Sequence, residues 1–266
     1  MPVAAGLYYI FHDRGPLDKP PIVLIHGAGG DHLGWPLQLR RFPGRRVLTV
    51  DLSGHGRSEG HARQSIEAYE KQIAAFLDEL QIYRVILVGH SMGAAVAMQT
   101  ALDIPRQVVG LGLISSGPSL SIVPDLYNEI QTPVSFEKIA RKLIKRLYSH
   151  KADQRLVRKG FEHLCQLRRS GLYADWKACH RFDIENQLGS IEVPTWIVVG
   201  KEDEITPYYE SQKLNRLIKD STLEIIPDAG HMVILEQPES VARSFSLFLK
   251  GLPALKKYAW QHPEMN

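Results

Sequence analysis

The stretch VILVGHSMGAAVAMQT, residues 85–100, constrains the fold more than any other part of the chain. Its apolar, mostly branched start reads as a buried strand, and the Ala-rich run after it reads as a helix. Gly89 and Gly93 flank His90, Ser91 and Met92 between the two, so the chain must turn sharply where small residues permit it. Such a turn leaves the serine hydroxyl exposed above a sheet edge. It also sets it at a helix N-terminus, whose dipole favours developing negative charge.

The same alternation of short apolar runs with helical periods continues through the chain, and it implies an α/β protein, a mostly parallel sheet flanked by helices. Residues 21–27, 46–51, 84–89, 108–116, 194–200 and 222–227 read as buried strands bounded by Gly, Pro or Asp. Residues 65–80, 91–102, 208–219 and 238–250 read as helices. In the first of these, Ser65 is the expected cap, and Ile66, Tyr69, Ile73, Phe76, Leu77 and Leu80 form one apolar stripe. The rhythm breaks between 118 and 190, where no strand is expected and helices are read at 125–131, 135–149, 152–169 and 171–182. The expected organisation is therefore a core domain of residues 1–117 and 191–266 with a helical cap of residues 118–190 inserted into it. The insertion is basic, with 13 Lys or Arg against 8 Asp or Glu, while the remainder has 19 against 21. The closing segment, LPALKKYAWQHPEMN, reads as a surface tail.

Several function classes are disfavoured by composition. The first residues, MPVAAGLYYIFHDRGP, have neither a basic start nor an apolar run of signal-peptide length, and no segment reaches the roughly 18 apolar residues of a membrane span. A cytoplasmic protein is expected. Its two cysteines, Cys165 and Cys179, lack disulfide-framework or zinc-ligand spacing, so two reduced, packed thiols are expected. A net charge of +3 gives no argument for nucleic acid. Neither G-x-x-x-x-G-K-[ST] nor G-x-G-x-x-G occurs, so a nucleotide site is disfavoured, and the cysteine spacing calls for no metal.

A serine hydroxyl is a poor nucleophile at neutral pH, so chemistry at Ser91 requires a base and a group to orient it. In IVVGKEDEITP, Asp203 follows one expected strand, and in LEIIPDAGHMVILEQPE, His231 follows the next. Both fall where open α/β sheets gather their sites, at the C-terminal edge, and the order Ser91, Asp203, His231 is that of a nucleophile-elbow enzyme. Glu202, Glu204 and Asp228 are rival acids; the G-x-x-D-x-x-x-P setting favours Asp203. Two backbone donors are needed for an oxyanion, and Met92 after the serine and Ala28 in the HGAGG turn (26–30) are the candidates. His26 reads as a structural residue bonded within that turn.

With these residues placed, the chain resembles the α/β-hydrolase superfamily, in its cap-bearing group of soluble carboxylesterase-like enzymes. HGAGG, DLSGHGRS (51–58), GHSMGA (89–94), GKEDEITP (200–207) and DAGHM (228–232) stand in that family's order. The resemblance implies Ser91 as nucleophile, His231 as base, Asp203 as its orienting acid, Ala28 and Met92 as oxyanion donors, and no cofactor. The serine argues against relatives that use aspartate there, the haloalkane dehalogenases and epoxide hydrolases.

Hydrolysis of small-molecule carboxylic esters with small to medium acyl chains, through an acyl-serine, is the expected reaction. Alternatives on the same frame are C–C bond hydrolysis, whose usual Gly-Pro-Gly is missing from HGAGGDHLG, monoacylglycerol lipase-like activity, and cofactor-free perhydrolysis. A non-catalytic ligand-binding role is the alternative from a different class. In SFEKIARKLIKRLYSH (135–150), Lys138, Arg141, Lys142, Lys145 and Arg146 oppose the apolar stripe. This leaves open an acidic acyl-carrier partner, with a solvated helix face as the simpler account. Leu172, Tyr173, Trp176 and Phe161 of the insertion, with Trp35 and Met232 nearer the chemistry, are candidates for lining the substrate pocket.

Overall fold

The computed structural model describes residues 2–120, 124–253 and 259–263. In chain order its strands are β1 (Val3–Ala4), β2 (Leu7–Asp13), β3 (Ile22–Ile25), β4 (Arg46–Val50), β5 (Val85–His90), β6 (Val108–Ile114), β7 (Thr195–Gly200) and β8 (Ser221–Ile226). The helices are α1 (Leu37–Arg40), α2 (Ile66–Glu79), α3 (Met92–Asp103), α4 (Pro124–Glu129), α5 (Phe136–Leu147), α6 (Gln154–Gln166), α7 (Arg169–His180), α8 (Tyr208–Leu217), α9 (Val233–Glu236) and α10 (Pro238–Gly251). All six expected strands and eight expected helices are present, but β8, expected to be buried, is the outer edge of the sheet and only Ile226 of its six residues is buried. Strands β1 and β2 were not expected: Leu7–Asp13 lacks the continuous branched run of a strand covered on both faces, because it lies near the sheet edge and its last four residues are only partly covered or exposed.

The eight strands form one sheet in the order β1-β2-β4-β3-β5-β6-β7-β8, antiparallel from β1 to β4 and parallel thereafter. After β3 the chain steps outward to β4 and then returns to the other side of β3 as β5. The turns leaving β3 and β5 therefore sit side by side at the C-terminal edge, where the register pairs Ile25 with Gly89. On one face, α2 and α3 cover Val23, Ile25, Leu87 and Leu111, with the α2 stripe fully buried and Ser65 capping the helix by accepting from Ala68 N–H. On the other face, α1 and α10 cover Ile22, Leu24, Val88 and Trp196.

Helices α4 to α7 interrupt the sheet between β6 and β7 and pack into a third cluster around Leu126, Ile139, Ile144, Leu164, Leu172 and Trp176. An isolated antiparallel bridge between Ser119 and Asp183 closes the neck of this insertion, with Ile184 N–H donating to Pro118 O at 3.1 Å. Residues Ala178, Cys179, Phe182, Ile184 and Leu188 pack with the sheet's own core, so the division in packing comes before residue 178 rather than at 190.

Two expectations are corrected here. The closing segment is not a surface tail where it is described: Trp260 is 5% exposed and donates from Nε1 to Leu80 O at 2.9 Å, and the Arg46 guanidinium lies 4.9 Å above its ring. Residues 254–258 and 264–266 of that segment lie outside the described residues. Of the two cysteines, both free thiols, Cys179 is buried but Cys165 is exposed on the outer side of α6. Among the described residues no helix is long and apolar enough to cross a membrane, and no group of three or more His, Cys, Asp or Glu could hold a metal ion.

Candidate active site

Ser91 occupies the sharp turn between β5 and α3 with φ 54° and ψ −119°. A non-glycine residue held there costs on the order of 1–3 kcal/mol and persists only if its surroundings over-determine it. Its N–H donates to Ile114 O at 2.8 Å and its carbonyl accepts from Ala94 N–H at 2.9 Å. The flanking glycines are required by close approach: a Cβ on Gly89 would lie 2.1 Å from Gly93 O, and one on Gly93 would lie 2.1 Å from Ile25 O. The G-x-S-x-G spacing is thus a packing condition for bringing α3 over the end of β3.

The turn after β3 lies directly against this elbow, since a Cβ on Gly27 would come 3.2 Å from the Ser91 Cβ. Gly30 N–H closes the turn on Gly27 O at 3.0 Å. His26 accepts from Leu52 N–H on Nε2 at 3.0 Å and therefore donates from Nδ1 to Gly27 O at 2.8 Å, which is the structural role expected of it. Burial, then the neighbouring His55, pushes its pKa down to about 3, so it stays neutral. Ala28 is half-buried and Met92 fully buried; among the described residues the N–H of neither finds an acceptor in the protein.

His231 is 3% exposed and lies beside the strand end that carries Ser91: His90 donates from Nε2 to His231 O at 2.9 Å, and the two rings are 5.0 Å apart. Burial and the nearby His231 push the pKa of His90 down to about 3, so it acts as a neutral donor. Nδ1 of His231 meets both oxygens of Asp203, at 3.0 and 2.9 Å. Asp203 further accepts from Ile205 N–H, Thr206 N–H and the Thr206 hydroxyl at 2.8 to 2.9 Å. Burial alone would raise its pKa, but His231 and the Thr206 donors outweigh it and hold the carboxyl below its ordinary value. The rival acids are turned elsewhere, Glu202 to His150 and Asp228 to Lys151, while Glu204 is exposed.

Among the lining candidates, Leu172 and Trp176 are buried in the insertion's cluster, with Ala28, Met232, Phe161 and Tyr173 packed against it. Tyr173 sits at its margin, stacked on Tyr127 and beside an open hollow of about 580 Å³ shared with Ile130 and Arg169. Trp35 is corrected: it is 1% exposed and packs with Leu39 and Phe42 on the α10 face, because the turn after Gly34 carries it under the sheet. A second hollow of about 580 Å³ lies between the insertion and the loop after β7, lined by Ile144, Tyr148, Lys201, Asp203 and Tyr208.

Sequence reasoning missed Leu167, whose Cδ1 lies 2.6 Å from where a Gly29 Cβ would stand, and Asp175, which is fully buried against the same turn. A signal for Asp175 existed. It lies three and four residues from Leu172, Ala178 and Cys179, all on the buried face of α7, so it is an acid on an apolar stripe.

A sequence profile of the Alpha/beta hydrolase family matches residues 22–244, and the chain belongs to that family. It is 26% identical over 246 residues to 3-oxoadipate enol-lactonase 1 of Acinetobacter baylyi, covering 90% of this chain and 92% of that one. It is 28% identical to 2-hydroxy-6-oxo-2,4-heptadienoate hydrolase of Pseudomonas putida, covering 94% and 95%. Among solved structures, a thermophilic esterase from Thermogutta terrifontis superposes with a TM-score of 0.81 at 25% identity, covering 92% and 94%.

Proposed function

We propose that this α/β-hydrolase cleaves carboxylic esters of small molecules through an acyl-serine intermediate. The observation that carries this is the convergence of a strained, accessible Ser91, a buried Asp203–His231 pair and two acceptor-free N–H groups at one sheet edge. Ser91 attacks the ester carbonyl and passes its proton to His231, while Asp203 holds the ring through Nδ1 and stabilises the imidazolium. The tetrahedral oxyanion is held by the N–H groups of Ala28 and Met92, the latter at the N-terminus of α3. His231 then protonates the departing alcohol, and a water activated by the same ring releases the acid. The insertion serves as a cap whose Leu172 and Trp176, with Met232, shape the acyl pocket. The enol-lactonase and esterase relatives support the ester bond as the target.

A small-molecule substrate is favoured over a carrier-borne one by the charge pairing on the cap. Arg141, Lys142 and Arg146 are matched by Glu137, Glu129 and Asp125, which leaves little of the basic face for an acidic partner. The test is turnover of p-nitrophenyl esters from acetate to laurate by wild type and Ser91→Ala. The variant should lose about 10³-fold or more in kcat with its fold intact, and equal turnover by the two would overturn the assignment.

A further inference from the structure

The turn after β3 is held from outside by side chains of the inserted helices, and the most deeply buried of them is an acid. Asp175 of α7 is 0% exposed and accepts three hydrogen bonds. Gly29 N–H and His55 Nε2 reach Oδ2, each at 2.8 Å, and the Tyr69 hydroxyl reaches Oδ1 at 2.5 Å. Gly29 follows Ala28, the residue whose N–H is one of the two oxyanion donors. It holds φ +65°, a conformation glycine takes at no steric cost, and with no Cβ it is also free to leave it unless its polar groups are pinned. The carbonyl of Gly29 is bonded too, 3.0 Å from His163 Nε2 of α6, and the side chains of Leu167 and Leu172 close over its Cα. Both backbone polar groups of this glycine are therefore held by side chains of the inserted helices rather than by the sheet that carries Ser91.

We infer that Asp175 is a positioning residue for the oxyanion hole: its carboxylate fixes the Ala28–Gly29 segment, so that the Ala28 N–H faces the developing oxyanion only while α7 is seated. Tyr69 and His55 satisfy the rest of that buried carboxylate from α2 and from the loop after β4, which offsets the cost of burying it, while the Gly29 N–H bond is the one that positions the turn. The inference rests on the serine-hydrolase assignment, because it needs an oxyanion to act upon. Its consequence is specific to the transition state. A displaced donor weakens binding of the tetrahedral species more than binding of substrate, and so lowers kcat more than it raises KM.

The experiment compares wild type, Ser91→Ala, Asp175→Ala, Asp175→Asn and Tyr69→Phe for ester turnover, thermal unfolding and inhibition by benzeneboronic acid, which forms a tetrahedral adduct on serine. Asp175→Ala should lower kcat about 10- to 100-fold with KM changing less, and should weaken the boronate by a similar factor. Asp175→Asn, which keeps one acceptor for Gly29, should fall between it and wild type, and this arm decides the matter if the alanine variant does not fold. Tyr69→Phe loosens the same carboxylate without unpairing Gly29. It should lower the unfolding temperature yet keep kcat within about threefold. A merely structural role predicts instead that Tyr69→Phe and the Asp175 variants lose kcat alike, or that boronate affinity holds while only stability drops; either result overturns the inference. Absence of Ser91-dependent turnover in wild type overturns the hydrolase assignment and the inference with it, whereas Ser91-dependent turnover untouched in the Asp175 variants overturns the inference alone.

Discussion

Asp203 meets His231 through Nδ1 at 2.9 Å, and Asp175 meets His55 through Nε2 at 2.8 Å; all four side chains are less than a tenth exposed. What differs is where the remaining bonds go. Asp203 draws its other donors from residues two and three positions on in its own loop, so the carboxylate is aimed locally. Asp175 draws its donors from residues 29, 55 and 69, three separate segments that only the tertiary fold unites. His55 spends its second nitrogen on Ser53 O at 3.1 Å, so both ring nitrogens face fixed acceptors and neither is free to take a proton from a substrate or nucleophile. His231 has only Nδ1 committed to its carboxylate, the arrangement a general base requires. Two chemically identical pairs thus divide into one suited to proton transfer and one suited to fastening.

The division breaks if the pairs respond alike to loss of charge. Asp203→Asn preserves shape but offers an amide where Nδ1 needs an acceptor, which favours the wrong tautomer of His231. It should cost about 10⁴-fold in kcat on a p-nitrophenyl ester, with far-ultraviolet circular dichroism unchanged. A loss under about tenfold would remove the distinction from the Asp175 pair.

The fastening pair should show itself in stability rather than rate. Burial alone would lower the pKa of His55, but the Asp175 carboxylate and its hydrogen bond outweigh this and raise it above the ordinary imidazole value of 6.5. A group raised in the folded state contributes stability that is fully present below its unfolded pKa and is lost as pH rises through the folded one. His55→Gln should therefore destabilise by about 3 kcal/mol near pH 5.5 and by less near pH 9, read from urea unfolding, with kcat altered less than tenfold. A cost that is flat in pH, or greater at alkaline pH, would show that His55 is neutral in the fold.

These contrasts also explain what was legible beforehand. Ser91 and Asp203 each follow a buried strand and His231 follows the edge strand β8, each within a short turn, and Gly89 and Gly93 admit no side chain, so local pattern and local chemistry coincide. The six strands from β3 to β8 and the α2 stripe were legible for the same reason. Asp175 was legible only as an acid on an apolar stripe; its role was not, because its partners lie 106 to 146 residues away and only packing of α7 on the turn after β3 brings them together. Trp35 misled because nearness to HGAGG in sequence says nothing of which face of the sheet a turn delivers it to. Trp260 misled because a polar-looking terminus hid an anchor for Arg46 and Leu80.

The smallest expected effect concerns the hydroxyl that trims the Asp203 carboxylate. Thr206 Oγ1 donates to Oδ2 at 2.9 Å, while the backbone donors of Ile205 and Thr206 both serve Oδ1. Thr206→Val keeps the shape and deletes this one donor to a charged group, so Asp203 should move back up toward its ordinary value of 3.8. A carboxylate held low contributes stability that is present above its unfolded pKa and is lost as pH falls through the folded one. The variant should therefore lose about 1.5 kcal/mol at neutral pH and begin acid unfolding at a higher pH than wild type, while Thr206→Ser should restore both. Unfolding temperatures between about pH 3 and 7 test this. If the valine variant kept the wild-type acid limb, the hydroxyl would not be part of what holds Asp203 charged, and His231 with the two backbone donors would account for its low pKa.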